Sequence, residues 1–330
     1  MHFAFTPDQH EMAAGLRDML NREFPAAALR VVWDNDTGHD PGLWHKLAEM
    51  GVFGVLAAEA DGGWGATMCD AVLLCEELGY AAVPGPVLET LTLAATVLTG
   101  TPLAAAVANG TTTVTAVLGG ERYVPHRHAD IVLVPDHDGV RAIELAAVTV
   151  TPVDSLDRGR LLATVTDAEH VGRHIPTNLE VLRDIGAVAT AAYLYGLSTR
   201  MLAIAGDYAR DRRQFGQPIG SFQAVKHLMA DALLQVEFAR PAIHRAAWSI
   251  TADHEHRARD VSMAKALAND AAQKAARSAL QVHGAIGYTW ECDLHLYMKK
   301  AWALIPAHGT TTSHRRRVAD AVLGPRPTLT

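Results

Sequence analysis

The sequence predicts a mainly α-helical protein with a small β segment in its middle. Three observations carry this. Alanine-rich stretches with apolar residues at helical spacing fill the N-terminal third of the chain. From about Thr111 the texture changes to short β-branched runs between turn residues, ending near Ile175-Pro176. Helical texture then resumes through Leu323. The order is helical, β, helical, with boundaries expected at 1–108, 109–176 and 177–330.

Each element has a local reason. Thr6-Pro7-Asp8-Gln9 is a helix start: a Thr cap, Pro at the first helical position, and Gln three residues after the cap. Met12, Leu16, Met19 and Leu20 then recur at helical spacing. Leu43, Trp44, Leu47 and Met50 mark a short amphipathic helix stopped by Gly51. Gly62-Gly63-Trp64-Gly65 requires a turn, and helix resumes from Ala71 to Leu78 before the Pro84-Gly85-Pro86 break. Strands are expected at 112–117, 130–134 and 148–151. Asn178 caps a long helix, at least three more follow, and the Pro-punctuated tail from Gly324 reads as loose.

Composition narrows the function classes. A formal charge of −7 disfavours a surface that neutralises phosphates over a wide area, so no nucleic-acid partner is expected. No run of eighteen apolar residues is free of charge, and Met1-His2-Phe3 opens no basic-then-apolar leader. Neither a membrane span nor a secretory signal is expected. Cys69, Cys75 and Cys292 make no CxxC and no disulfide framework, which reads as a cytoplasmic, reduced protein.

Two stretches carry candidate chemistry. In Arg212 to Gln223, an arginine precedes Phe215; a guanidinium offers phosphate a planar fork, and an aromatic can pack on a ring system. The plainer alternative is a helix C-terminus, with Arg212 satisfying carbonyls and Gly216 ending the helix. In Gln281 to Glu291, Gly284 and Gly287 let backbone amides approach an anion closely, although glycine-rich helix breaks are common.

Together these stretches resemble the flavin-binding C-terminal domain of acyl-CoA dehydrogenases. Phe5 to Gln9, Leu43 to Gly51, Gly62 to Gly65 and Glu76 to Gly79 resemble that family's N-terminal domain, and Val124-Pro125 with Ala129-Asp130 part of its β domain. The resemblance implies an N-terminal helical domain, a shortened β domain and a C-terminal four-helix bundle. It implies FAD as cofactor, held by Arg212, Phe215, Gln281 and Gly284, with Ala285 replacing the second glycine of the motif. The first segment would contact the flavin of its own subunit and the second the adenine end of a neighbour's. Acyl-CoA would be the substrate, dehydrogenated between its α and β carbons, and an electron-transferring flavoprotein the acceptor.

The departures from the family matter as much. Its Thr-Glu-Pro-x-x-Gly-Ser-Asp type loop, which binds the isoalloxazine ring, has no counterpart between Thr111 and Val124. Where the family has Glu-Gly-Thr with the catalytic base, this chain has His308-Gly309-Thr310. The alternative base position of some relatives falls on Gly186. Asp184 stands two residues away, roughly 200° round a helix, and cannot simply substitute. Histidine can act as a general base, but a base also needs the flavin ring beside it, so His308 is expected to be structural or at an interface. No catalytic residue is assigned.

The chain thus resembles the smaller, base-lacking subunit of α2β2 actinobacterial steroid acyl-CoA dehydrogenases, with a larger subunit as partner. A self-sufficient homo-oligomer using His308 and a non-enzymatic scaffold of the same fold are the alternatives. His126-Arg127-His128 and His254-Glu255-His256 lack metal-ligand spacing and read as solvated loops, with no metal expected. His314-Arg315-Arg316-Arg317 reads as salt-bridging or as a cap for the final helix.

Overall fold

The structure, a computed structural model, describes residues 4–35, 38–118, 123–166 and 171–324. Helix α1 (Pro7–Glu23) starts as predicted: the Thr6 hydroxyl accepts from the Gln9 amide while the Gln9 side chain accepts from the Thr6 amide. Helices α2 (Ala26–Asp34), α3 (Pro41–Glu49) and α4 (Met68–Tyr80) follow. Gly51, in the left-handed region, ends the α3 segment, and Gly62 and Gly65 supply the turn before α4. A π-helical turn (Glu89–Ala94) runs into α5 (Ala95–Leu98), and α6 (Ala104–Ala108) closes this part.

The β segment builds one four-stranded sheet and a separate two-stranded ribbon. Its strands are β1 (Val114–Ala116), β2 (Ile131–Asp136), β3 (Gly139–Glu144), β4 (Thr149–Pro152), β5 (Ala163–Thr166) and β6 (Arg173–Pro176). The sheet order is β1-β2-β3-β6, with β1 parallel to β2 and the other pairs antiparallel. Strands β4 and β5 pair apart from it. Strands β3, β5 and β6 were not among the strands expected from sequence. The turn from Asp136 to Gly139 contains Asp138-Gly139, a turn dipeptide that the sequence reading passed over, and β5 follows a long loop rather than a tight turn.

Helix α7 (Leu179–Asp211), capped by the Asn178 side chain, is the hub of the remainder. After a two-residue hairpin, β7 (Arg213–Gln214) and β8 (Gln217–Pro218), come α8 (Gln223–Thr251), α9 (Arg257–His283), α10 (Leu294–Leu304) and α11 (Thr311–Leu323). Helices α4, α8, α9 and α10 all pack on α7, so one N-terminal helix belongs to the bundle's core. The predicted loose tail beyond Gly324 lies outside the described residues, as does part of the stretch between Thr111 and Val124.

The α4–α7 crossing is possible only because two glycines meet a backbone. A Cβ on Gly79 would sit 2.1 Å from the Tyr193 carbonyl oxygen, and one on Gly196 would sit 2.0 Å from that of Glu76. Neither neighbour is a side chain that could swing away. Alanine normally stabilises a helix interior by about 1 kcal/mol over glycine. Here Gly196→Ala is expected to have the opposite sign, destabilising by roughly 1–3 kcal/mol through overpacking, read as a lower urea midpoint at unchanged m-value.

Candidate functional site

Arg212, Phe215, Gln281 and Gly284 come from two segments that the fold brings together at one end of the bundle. Helices α7 and α9 run in the same direction, so their C-termini share that end. There the Tyr208 ring stacks on His283, with centroids 4.4 Å apart and planes 16° from parallel. Burial lowers the His283 pKa, and the ring's Nδ1 lies 2.8 Å from the Ala279 carbonyl oxygen, to which the neutral ring donates. The stack fastens the start of the Arg212 segment to the end of α9.

Beyond the stack the candidate residues face solvent. Arg212 is the extended residue that ends α7, its amide donating to the Tyr208 carbonyl; its exposed side chain makes no ion pair among the described residues. Gly216 does not end that helix. It forms, with Phe215, the turn of the β7–β8 hairpin, both in the left-handed region at φ 82° and 52°. Two successive positive φ values are what a two-residue primed turn needs, and a bulky residue there is costly. The Phe215 ring is 92% exposed and has one aromatic neighbour, Phe222, edge-on at 6.1 Å. Gly284 ends α9 at φ 61°, ψ −138°, a conformation open essentially to glycine alone. Nothing lies within 4 Å of where its Cβ would be, and Gln281 is exposed one turn earlier.

The two positions considered for a base face each other. His308 lies in the loop between α10 and α11, and its imidazole rests on the bare backbone of α7: a Cβ on Gly186 would be 2.6 Å from both its Cε1 and its Nδ1. The loop is strained and firmly held. His308 is left-handed at φ 53° and Gly309 has φ 111°. Buried Lys265 donates to the Ile305 carbonyl (2.9 Å) and to Asn269 (2.7 Å), whose amide donates to Thr311 (3.1 Å). His314 lies 2.9 Å through Nε2 from the His308 carbonyl and 3.2 Å through Nδ1 from the Ser262 hydroxyl. Burial lowers its pKa to about 4, so it is neutral near pH 7, donating from Nε2 and accepting at Nδ1.

Asp184 offers no substitute carboxylate. It is fully buried, accepting from Arg257 Nε at 3.0 Å on one oxygen and from Arg317 Nη1 at 2.6 Å on the other. The salt-bridging reading of the His314–Arg317 run holds: Arg315 pairs with Asp270 at 2.5 Å, and Arg317 with Asp184. Arg257 gave no sequence signal, since its partner lies 73 residues away.

The seam between the β segment and the bundle is closed by charge. Lys300 on α10 lies 3.3 Å from Asp157, both almost wholly buried, and Arg160 donates to the Ala303 carbonyl at 2.7 Å. The cavity beside them, walled by Val87, Glu89, Tyr193 and Lys300, is about 30 Å³. That volume holds one water, whereas ligand pockets run to roughly 300–1,000 Å³.

For the expected FAD, an unpaired arginine, an exposed ring and an open glycine backbone suit a pyrophosphate and adenosine, while the cavity beside Lys300 and Asp157 is too small for a flavin ring. Among the described residues no group of three or more His, Cys, Asp or Glu is placed to hold a metal. One reading needs correction: His126 is not in a solvated loop but 3% exposed, packed edge-on against His39. The strand that follows at Ile131 draws its segment into the β core.

Comparison with known proteins agrees with this architecture. Family models match residues 6–107, as the N-terminal domain of acyl-CoA dehydrogenases, and residues 182–323, as their C-terminal domain. Acyl-CoA dehydrogenase IpdE2 of Mycolicibacterium smegmatis is 34% identical over 311 residues, covering 92% of this chain and 95% of the relative. IpdE2 of Mycobacterium tuberculosis is 33% identical, covering 89% and 91%. Among solved structures, the ChsE4-ChsE5 complex from Mycobacterium tuberculosis superposes with a TM-score of 0.84 at 23% identity, over 99% of this chain and all of the matched one. Butyryl-CoA dehydrogenase from Megasphaera elsdenii gives 0.81 at 22%, over 98% and 100%. The chain belongs to the acyl-CoA dehydrogenase family of FAD-dependent oxidoreductases.

Proposed function

We propose that this chain is the smaller subunit of a heteromeric acyl-CoA dehydrogenase, and that a longer paralogue supplies the base, the acyl pocket and the flavin-ring site. The contact between Gly186 and His308 carries this reading: both base positions converge on one point, and neither of the two residues is a carboxylate. The 30 Å³ cavity at the seam supports it from a second direction. In the family reaction a carboxylate takes the α-proton of the thioester and the β-hydrogen leaves as hydride, which FAD accepts when bound.

This chain's own part is to hold the far end of the cofactor. Arg212 would pair with the pyrophosphate, and Phe215, Gln281 and Gly284 would line the adenosine side. Because the Tyr208–His283 stack sets both segments side by side, they are proposed to address a single FAD whose ring lies on the partner. An apolar patch supports assembly: Leu234 and Phe238 on α8, with Met263 and Leu267 on α9, are between 39% and 65% exposed. The solved neighbours include the ChsE4-ChsE5 complex and a Tcur3481-Tcur3483 steroid ACAD, which favours a steroid-derived CoA ester as substrate. An electron-transferring flavoprotein is the proposed acceptor. The free cysteines fit a cytoplasmic setting, and no helix among the described residues is long and apolar enough to cross a membrane.

Expression alone and with a longer paralogue tests the reading. The lone chain should be poorly soluble or colourless, and the co-expressed pair a stable flavin-bearing complex by light scattering and absorbance. A yellow homotetramer that oxidises acyl-CoA unaided would overturn it.

Within the complex, Arg212→Ala should lower FAD occupancy by removing a contact worth about 1.5–3 kcal/mol, with helix content unchanged by circular dichroism. Unaltered FAD affinity would return Arg212 to a helix-ending role.

His308→Ala should leave turnover of the complex within several-fold, because a group replaceable by a methyl is not the base. Loss of a general base typically costs ~10²–10⁴-fold. A fall of that size, at intact assembly and FAD content, would make His308 catalytic.

A further inference from the structure

A second polar cleft lies between the end of α2 and the loop from β4 to β5. It measures about 540 Å³ and is walled by Trp33, Asp34, Arg127, Asp154, Arg158 and Arg160. Across Arg158 it continues into a hollow of about 290 Å³ whose far wall carries Trp290 and His295. We propose that this cleft binds a nucleoside diphosphate.

The argument is one of matched chemistry. Three guanidiniums meet at one cleft, and the fold consumes little of their capacity. Arg158 has a single long ion pair, 3.8 Å from Asp34, with both side chains more than half exposed. Such a pair contributes little and exchanges readily with another anion. Arg160 gives one N–H to Ala303, and Arg127 makes no ion pair among the described residues. Arg30, by contrast, is spent on Asp293 and the carbonyls of Trp290 and Glu291, so it shapes the hollow without charging it.

A diphosphate alone would leave the rest of the cleft unexplained. Asp34 and Asp154 would repel a bare anion, but carboxylates are acceptors for ribose hydroxyls. Trp290 is 58% exposed and carries cations over its ring, Lys299 Nζ 4.1 Å and the Arg158 guanidinium 5.7 Å from the centroid, both on long side chains that a stacking base would displace. An exposed indole next to phosphate-binding groups offers a base a stacking surface. Arginines, hydroxyl acceptors and an indole together match phosphate, ribose and base, and the combined volume is that of a ligand pocket.

Isothermal titration of the purified protein, in the assembly in which it is soluble, with ADP as probe decides the matter. Saturable binding is expected, weakened about tenfold or more in Arg158→Ala, a surface change that leaves the fold intact. Arg22→Ala, a charge control on α1, should bind as the parent does. Pyrophosphate should bind more weakly than ADP, and Trp290→Ala should erase that difference. No saturable binding at millimolar ADP, equal binding of adenosine, or an unaffected Arg158→Ala would each overturn the proposal. Binding abolished by Arg212→Ala but not by Arg158→Ala would also overturn it, and would place ADP on the proposed FAD segments instead. The outcome is independent of whether the chain is a small subunit.

Discussion

Everything in this molecule is arranged around the glycine-mediated contact of α4 with α7. With Gly79 and Gly196 the two backbones meet directly, and the N-terminal helices join the bundle core instead of resting on its surface. Around that crossing the polar side chains of α4 are committed in pairs. Glu77 receives two N–H groups of Arg17, and Glu76 receives Arg240 and His244. Buried carboxylates are tolerable only when satisfied in this way. Helix α7 is thereby fixed along its length, and both the Gly186–His308 contact and the Arg212 end take their positions from it.

Much of the fold was legible in the sequence because it rests on local rules. The Thr6 capping box, the Asn178 cap and the stop at Gly51 each depend on residues a few positions apart. The β segment was less legible. Strand β3 shows no strict alternation of burial, so its one local signal was the Asp138-Gly139 dipeptide before it, while β5 closes on β4 across a long loop without such a signal. The resemblance to the family placed His308 and Gly186 at its two base positions, yet that they touch is a property of the tertiary fold. The double clamp on Asp184 was likewise invisible, because its arginines come from α9 and α11. Helical rotation correctly removed Asp184 from the base position but could not show that both its oxygens are taken.

The loop that carries His308 is held rather than loose. Here Lys265, Asn269 and His314 hold the loop at three points, and the imidazole covers the gap left by the missing side chain on α7. The pocket is filled by protein, in keeping with the close-packed seam at Lys300 and Asp157.

The Tyr208–His283 stack has an entropic consequence. Two surface segments far apart in sequence would ordinarily each be ordered at the moment of binding, and each would subtract from affinity. Joined through one ring pair beneath them, they would meet a ligand as a single surface already in place. On the proposed reading, a long dinucleotide would be gripped at one end without the grip having to be assembled. The ring pair, which touches no ligand, would set how much of the contact energy survives as affinity.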